Sequence, residues 1–258
     1  MCSESPTRMT TSNAAQHAAS FDSAAELYER ARPSYPAEAV DWLLPGNPRE
    51  VLDLGAGTGK FSRLFSDRVS RLVAVDPSVR MLEQLSLTLP SAETIVASAE
   101  NLPLPDDSFD AAVCAQAWHW VEATAAAHEL ARVLRLGGTV GIVWNSRDDR
   151  VDWVARMAEI INEASPEDIL AHPPALPEPF GATEFLELDW QHALTRPELR
   201  ALVASRSHFI IQDAAEQHRV LAALDAMLDA HPQTAGLEQI PVPYRTLCFR
   251  ATLAATAA

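Results

Sequence analysis

One stretch constrains this chain more than any other: residues 50–60, which read EVLDLGAGTGK. Val51, Leu52 and Leu54 form a short apolar run that enters a glycine-dense turn, and Phe61, Leu64 and Phe65 follow at helical spacing. Strand, tight glycine turn and helix together make the unit that sets a nucleotide-like ligand on a helix N-terminus. Glycines in such a turn supply positive φ or let backbone approach a ligand closely. A chain built on this unit is expected to be α/β with a parallel sheet.

The glycine register narrows the ligand. The dinucleotide fingerprint is G-x-G-x-x-G, whereas Gly55, Gly57 and Gly59 run G-x-G-x-G. Asp53 sits just before the turn, where a carboxylate repels a pyrophosphate but suits a ligand with an ammonium group. S-adenosylmethionine has that ammonium and no phosphate. Read blandly, the stretch is a glycine-rich turn between strand and helix. Read for function, the run from Asp53 to Gly59 resembles motif I of the class I S-adenosylmethionine-dependent methyltransferases. The resemblance implies S-adenosylmethionine as cofactor, S-adenosylhomocysteine as product, and cofactor contacts from Asp53, Gly55, Ala56, Gly57 and Gly59.

Downstream landmarks keep the same order. Residues 71–75 read as a buried strand ending at Asp76 and Pro77, where a carboxylate can hold a ribose diol. Residues 78–89 place Val79, Met81, Leu82 and Leu85 on a helical face, with Met81 either core packing or an adenine contact. A third strand at 93–97 leads to Ser98, Ala99 and Glu100, which resemble the family's adenine-reading turn. The family often has Asp where this chain has Ser98, and a hydroxyl bonds an amino group without charge assistance. Residues 111–115 form a fourth strand, followed by Gln116, Trp118, His119 and Trp120, which should border the site. Gln116 is expected at the cofactor. His119 is either a general base near neutrality or a packed histidine, and Trp118, Trp120 and Trp144 offer an acceptor wall. A helix at 122–134, a glycine stop at Gly137 and Gly138, and a fifth strand at 139–144 bring the chain to Arg147, a candidate acceptor clamp.

The flanks are less legible. Residues 1–19 read as a mobile tail, and residues 20–46 as two short helices, the second starting at Pro36. The stretch between them is either an amphipathic helix with a turn or a lid over the cofactor, in which Tyr28 and Arg32 would make the contacts. Within one domain over 20–258, residues 47–147 form the cofactor half and 148–258 the acceptor half. The latter holds a helix at 152–164, an irregular proline-rich stretch at 166–181, a strand at 183–193, helices at 196–204 and 214–230, and a last strand at 244–251. Arg206 lies in a polar patch that is either a solvated connection or part of the acceptor site. The family resemblance implies a Rossmann-like seven-stranded, mostly parallel sheet with helices on both faces, the last strand antiparallel beside the fifth, and an N-terminal helical lid.

Composition removes other classes. A formal charge of −15 gives no basic footprint for nucleic acid. Cys2, Cys114 and Cys248 lie far apart without a C-x-x-C pair, so neither zinc nor a disulfide framework is expected, and a reducing, cytoplasmic setting fits. Nothing in the sequence suggests export or a membrane span. The expected function is methyl transfer to a small organic acceptor, at a carboxylate, a phenol or enol oxygen, or carbon; the layout resembles the trans-aconitate methyltransferase-like branch. A non-catalytic S-adenosylmethionine-binding partner protein and a nicotinamide-dependent oxidoreductase are the alternatives. Oligomeric state is not readable.

Overall fold

The computed structural model describes residues 33–162, 166–174, 176–205, 209 and 211–254. The expected tail, the first expected helix, Tyr28, Arg32 and Arg206 therefore lie outside the described residues. The described residues form two compact units: one of 34–154, 166–174, 176–191 and 243–254, the other of 33, 155–162, 192–205, 209 and 211–242.

The first unit carries helix α1 (Ala37–Leu43) and strand β1 (Glu50–Leu54), then β2 (Arg71–Asp76), helix α2 (Val79–Thr88) and β3 (Glu93–Val96). Strand β4 (Phe109–Ala115), helix α3 (Ala123–Val133), β5 (Leu134–Arg147), the first turn of α4 (Asp152–Ile161) and helix α5 (Pro166–Ala171) follow. Most of β6 (Glu184–Leu194) and of β7 (Ile240–Thr252) also belongs here. The seven strands form one sheet in the order β3-β2-β1-β4-β5-β7-β6. The pairs β2–β3, β1–β2, β1–β4 and β4–β5 are parallel, and β7 runs antiparallel to β5. The seven-stranded Rossmann-like expectation holds, including the reversed strand beside the fifth.

The central strands are apolar in both parities because both faces of the sheet are covered. On one face Leu52, Val73, Ala112, Ile142 and Phe249 share a core with Ala126, Ala127, Leu130 and Val133 of α3. On the other, Val51, Ala74, Val113, Val143 and Cys248 share a core with Val40 and Leu43 of α1 and Leu82 and Leu85 of α2. Asp53 and Asp76 fall in the parity of this second face.

Several elements differ from expectation. After the glycine turn the chain makes two 3₁₀ turns, Ser62–Leu64 and Ser66–Arg68, rather than a long α-helix. Phe61, Ser62 and Phe65 are all buried in this short span, so side-chain placement overrides helical regularity. Pro36 is the N-cap of α1, with extended backbone, rather than its first helical residue. In α2 only Leu82 and Leu85 point inward, while Val79 and Met81 are exposed. Helix α3 ends at Val133, and Leu134 is already extended and pairs with Phe109; the glycine pair lies inside β5, where the register with β4 shifts. The proline-rich stretch contains α5, and Leu176 and Phe180 beyond it enter the first core.

The second unit contains α6 (Arg196–Ala204) and α7 (Ala214–Ala230), both with the expected bounds. Thr195 and Glu198 form a reciprocal capping box on α6, and Asp213 caps α7. Leu199, Leu202 and Val203 of α6 and Val220, Leu224 and Leu228 of α7 are buried. Arg196 pairs with Asp225 and Asp229, and Arg200 with Asp225.

Candidate functional site

Because β1, β2, β4 and β5 are parallel, Leu54, Asp76, Ala115 and the stretch from Trp144 to Arg147 emerge at one edge of the sheet, where α/β folds place ligands. The glycine turn lies across this edge. Gly55 has φ +64°, and a Cβ there would stand 2.5 Å from the Ala117 Cβ. Gly59 has φ +77° and leaves 2.8 Å between such a Cβ and the Leu85 side chain. Both positions need glycine for conformation and for space. The Ala56 N–H donates to the Val75 carbonyl at 3.1 Å, which ties the turn to β2.

Asp76 joins the turn to α2. Its Oδ2 accepts from the Gly57 N–H at 2.9 Å and its Oδ1 from the Ser78 N–H at 2.8 Å. Each carboxylate oxygen retains acceptor capacity beyond these bonds. Pro77 and Met81, next to it, are exposed. Asp53 is fully buried; its Oδ2 accepts from the Ser62 hydroxyl at 2.5 Å, while Oδ1 has no hydrogen-bond partner. Burial, opposed by the Ser62 bond and reinforced by the Asp76 charge, pushes the Asp53 carboxyl up to about 7.

Beyond β3, Ser98 is exposed and pairs with Asn101 in an isolated bridge, and Ala99 packs against the first core. Glu100 accepts from the Glu122 N–H at 2.9 Å, and backbone N–H bonds hold its carboxyl below the ordinary glutamate value despite partial burial. Beyond β4, Gln116 adopts φ +58°, and its Nε2 donates to the Asn145 carbonyl at 2.8 Å. Trp118–Trp120 forms a 3₁₀ turn in which Trp118 enters the core, whereas Trp120 is 82% exposed. The His119 ring lies 4.9 Å from that of Trp120, and desolvation lowers its pKa from the ordinary 6.5. Trp144 packs edge-on to Phe249 in the core, 5.9 Å between centroids, so its ring contributes first to packing. Arg147 is buried opposite Tyr244 in the β5–β7 register. The edge thus brings together Gly55, Ala56, Gly57, Gly59, Asp76, Pro77 and Gln116, with Asp53 buried beneath the turn, while Arg147 lies farther along β5, beyond the Val143 that pairs with Ala115.

Sequence reasoning missed Ser62, Asn145, Thr246 and Trp190. Asn145 donates through Nδ2 to the Ser34 carbonyl at 2.7 Å and accepts through Oδ1 from the Thr246 hydroxyl at 2.6 Å. Trp190 Nε1 donates to Thr246 Oγ1 at 2.8 Å. No local pattern marks these contacts, because strand pairing joins residues far apart in the chain. Among the described residues no group of three or more His, Cys, Asp or Glu could hold a metal ion.

Residues 52–142 match the family model for a methyltransferase domain. The chain is 46% identical over 235 residues to an uncharacterized methyltransferase of Mycobacterium tuberculosis, covering 91% of this chain and 96% of the relative. The chain belongs to the class I S-adenosylmethionine-dependent methyltransferases. This methyltransferase is also 33% identical over 232 residues to an uncharacterized methyltransferase-like protein of Schizosaccharomyces pombe, covering 86% of this chain and 91% of the relative. A solved structure described as a type II methyltransferase from Anaeromyxobacter dehalogenans superposes with TM-score 0.67 at 26% identity, covering 87% of this chain and 99% of that one. These matches give no support to the oxidoreductase alternative.

The residues present fit the family's cofactor. A buried carboxylate oxygen without a hydrogen-bond partner beneath the turn, and open space at the Gly57 backbone where a Cβ would stand, suit a cationic, phosphate-free ligand.

Proposed function

We propose that this methyltransferase transfers a methyl group from S-adenosylmethionine to a small organic acceptor in the cytoplasm. The observation that carries the reading is the Asp76 carboxylate, which ends β2 and already anchors the Gly57 backbone of the glycine turn. A diol bound at Asp76 and an amino-acid end bound at the turn would then be fixed relative to each other. The turn residues Gly55, Ala56, Gly57 and Gly59, with Asp53 beneath them, would hold the amino-acid end. Asp76 and Pro77 would hold the ribose, Met81, Ser98, Ala99 and Glu100 the adenine, and Gln116 the side facing β4.

The bound cofactor supplies a methyl on a sulfonium, already a good leaving group, so the chain's own work is alignment and exclusion of water. His119 is the proton acceptor of this reading. Partial desolvation favours its neutral form, and it stands at the carboxyl edge beside an exposed indole. Trp120 would offer the acceptor a flat apolar surface, and Arg147 a carboxylate partner. A phenol, an enol or a carboxylic acid fits these groups, within the small-molecule branch that includes trans-aconitate methyltransferase-like proteins.

Calorimetric titration with S-adenosylmethionine, S-adenosylhomocysteine and NAD tests the cofactor. Binding of the first two and not NAD is expected, and NAD binding alone would overturn the reading. A screen of small acids and phenols as acceptors follows. With the acceptor found, His119→Ala should lower kcat about 10²-fold or more and leave S-adenosylhomocysteine affinity unchanged. A wild-type rate would return His119 to packing.

A further inference from the structure

Asn145 stands where two supports of the glycine turn meet. The first support comes from β4. Gln116 leaves the strand with positive φ and reaches Asn145 through its amide, donating to the Asn145 carbonyl at 2.8 Å. The next residue, Ala117, is the one whose Cβ fills the space a side chain on Gly55 would need. The second support is the strap that precedes α1. Its Ser34 carbonyl accepts from Asn145 Nδ2 at 2.7 Å, and the adjacent Tyr35 ring stands edge-on to Phe61, centroids 4.9 Å apart at 79°. Phe61 follows directly on Gly59 and Lys60. Asn145 is itself oriented from behind: Thr246 donates to its Oδ1, and Trp190 donates to Thr246. The Asn145 amide donates to a carbonyl from its nitrogen and accepts from a hydroxyl at its oxygen at the same time.

We infer that Asn145 is a positioning residue whose side chain holds the glycine turn through the strap at Ser34–Tyr35, while its backbone carbonyl receives the exit of β4 at Gln116. The inference rests on the reading of that turn as the cofactor cradle, and it adds a residue that no cofactor motif contains. Asn145 touches no reacting atom in this account. It limits the conformations of a turn whose backbone has to receive a ligand, and its effect is therefore on affinity and local order.

The test uses the full chain and S-adenosylhomocysteine as probe. Asn145→Asp keeps the acceptor for Thr246, removes the donor to Ser34 and places negative charge at that carbonyl. Affinity should fall about three- to tenfold, the equivalent of one hydrogen bond. Amide exchange across Gly57–Phe61 should quicken by a comparable factor in the absence of ligand. Tyr35→Leu cuts the same strap at its other end and should reproduce both effects. Because the two changes break one support, the double variant should lose less than the product of the singles. Trp190→Phe, which removes the rear bond to Thr246 and shrinks the ring stacked on Tyr244, should lower Tm without changing affinity.

Wild-type affinity and wild-type exchange in Asn145→Asp, or fully independent losses in the double variant, would overturn the inference. If the unaltered chain fails to bind S-adenosylhomocysteine, the cofactor reading fails. The exchange measurement then still decides whether Asn145 orders the turn.

Discussion

A carboxylate with one oxygen satisfied and the other sealed from water is costly in an apolar interior, and Asp53 is such a group. Its folded pKa of about 7 lies above the ordinary 3.8, so the native state holds the proton more tightly than the unfolded chain does. The contribution of Asp53 to stability is complete below about pH 4 and is lost as pH rises through about 7. Asp53→Asn, which cannot ionise, should therefore be more stable than the parent at pH 8, by on the order of 2–4 kcal/mol in urea unfolding. The gap should narrow toward pH 5, and a gap that stayed constant between the two pH values would contradict the titration. The same substitution should weaken binding of a cationic ligand, the usual exchange of stability for function at a site. Asp53 was legible because it stands inside a motif. Ser62, which satisfies half of it, was not, since nothing in a serine nine positions later marks it as a buried donor.

At the scale of elements, the β5–β7–β6 side of the sheet is joined by charge as well as by backbone. Arg245 on β7 is 3% exposed and donates to Glu187 of β6 at 2.7 Å and to Glu167 of α5 at 2.6 Å. Arg150 extends the network to Asp148 and Asp189, 2.7 Å each, and lies 3.5 Å from Glu187. Removing Arg245 returns the exposed Glu167 to water but leaves the half-buried Glu187 with Arg150 alone, and an empty site where the arginine was buried. Arg245→Ala should cost about 1.5–3 kcal/mol of unfolding free energy, and Glu187→Gln added to it should restore part of that loss. A loss under about 1 kcal/mol would place the network with exposed pairs. Sequence reading succeeded for elements with a clear period or cap: β2, β3, α6 and α7 lie where the pattern put them. It failed where tertiary demand overrode local preference, as in the turns holding Phe61 and Phe65, the early start of β5 at Leu134, and α5 within a proline-rich stretch.

For the whole molecule, a formal charge of −15 means long-range self-repulsion that local ion pairs do not cancel. Raising ionic strength from about 0.01 M to about 0.15 M shortens the Debye length from about 30 Å to about 8 Å and should raise Tm. A fall in Tm would show that attractive pairs such as Arg68–Asp41 and Arg71–Glu93 outweigh the net charge. The architecture was readable at this scale because alternating strands and helices at regular spacing leave few topologies open. The division into two interleaved units had no linker to announce it, since the second unit draws on separate stretches of the chain.

The reversed strand has a consequence in time. β6 comes before β7 in the chain yet lies outside it in the sheet, with β7 between it and β5. During synthesis β6 leaves the ribosome with no partner strand to join. Its place opens only when residues 240–252 have been made and have paired with β5. The outer part of the sheet is thus completed last, and a chain interrupted before β7 would carry a finished parallel core beside an unpaired, charge-bearing strand.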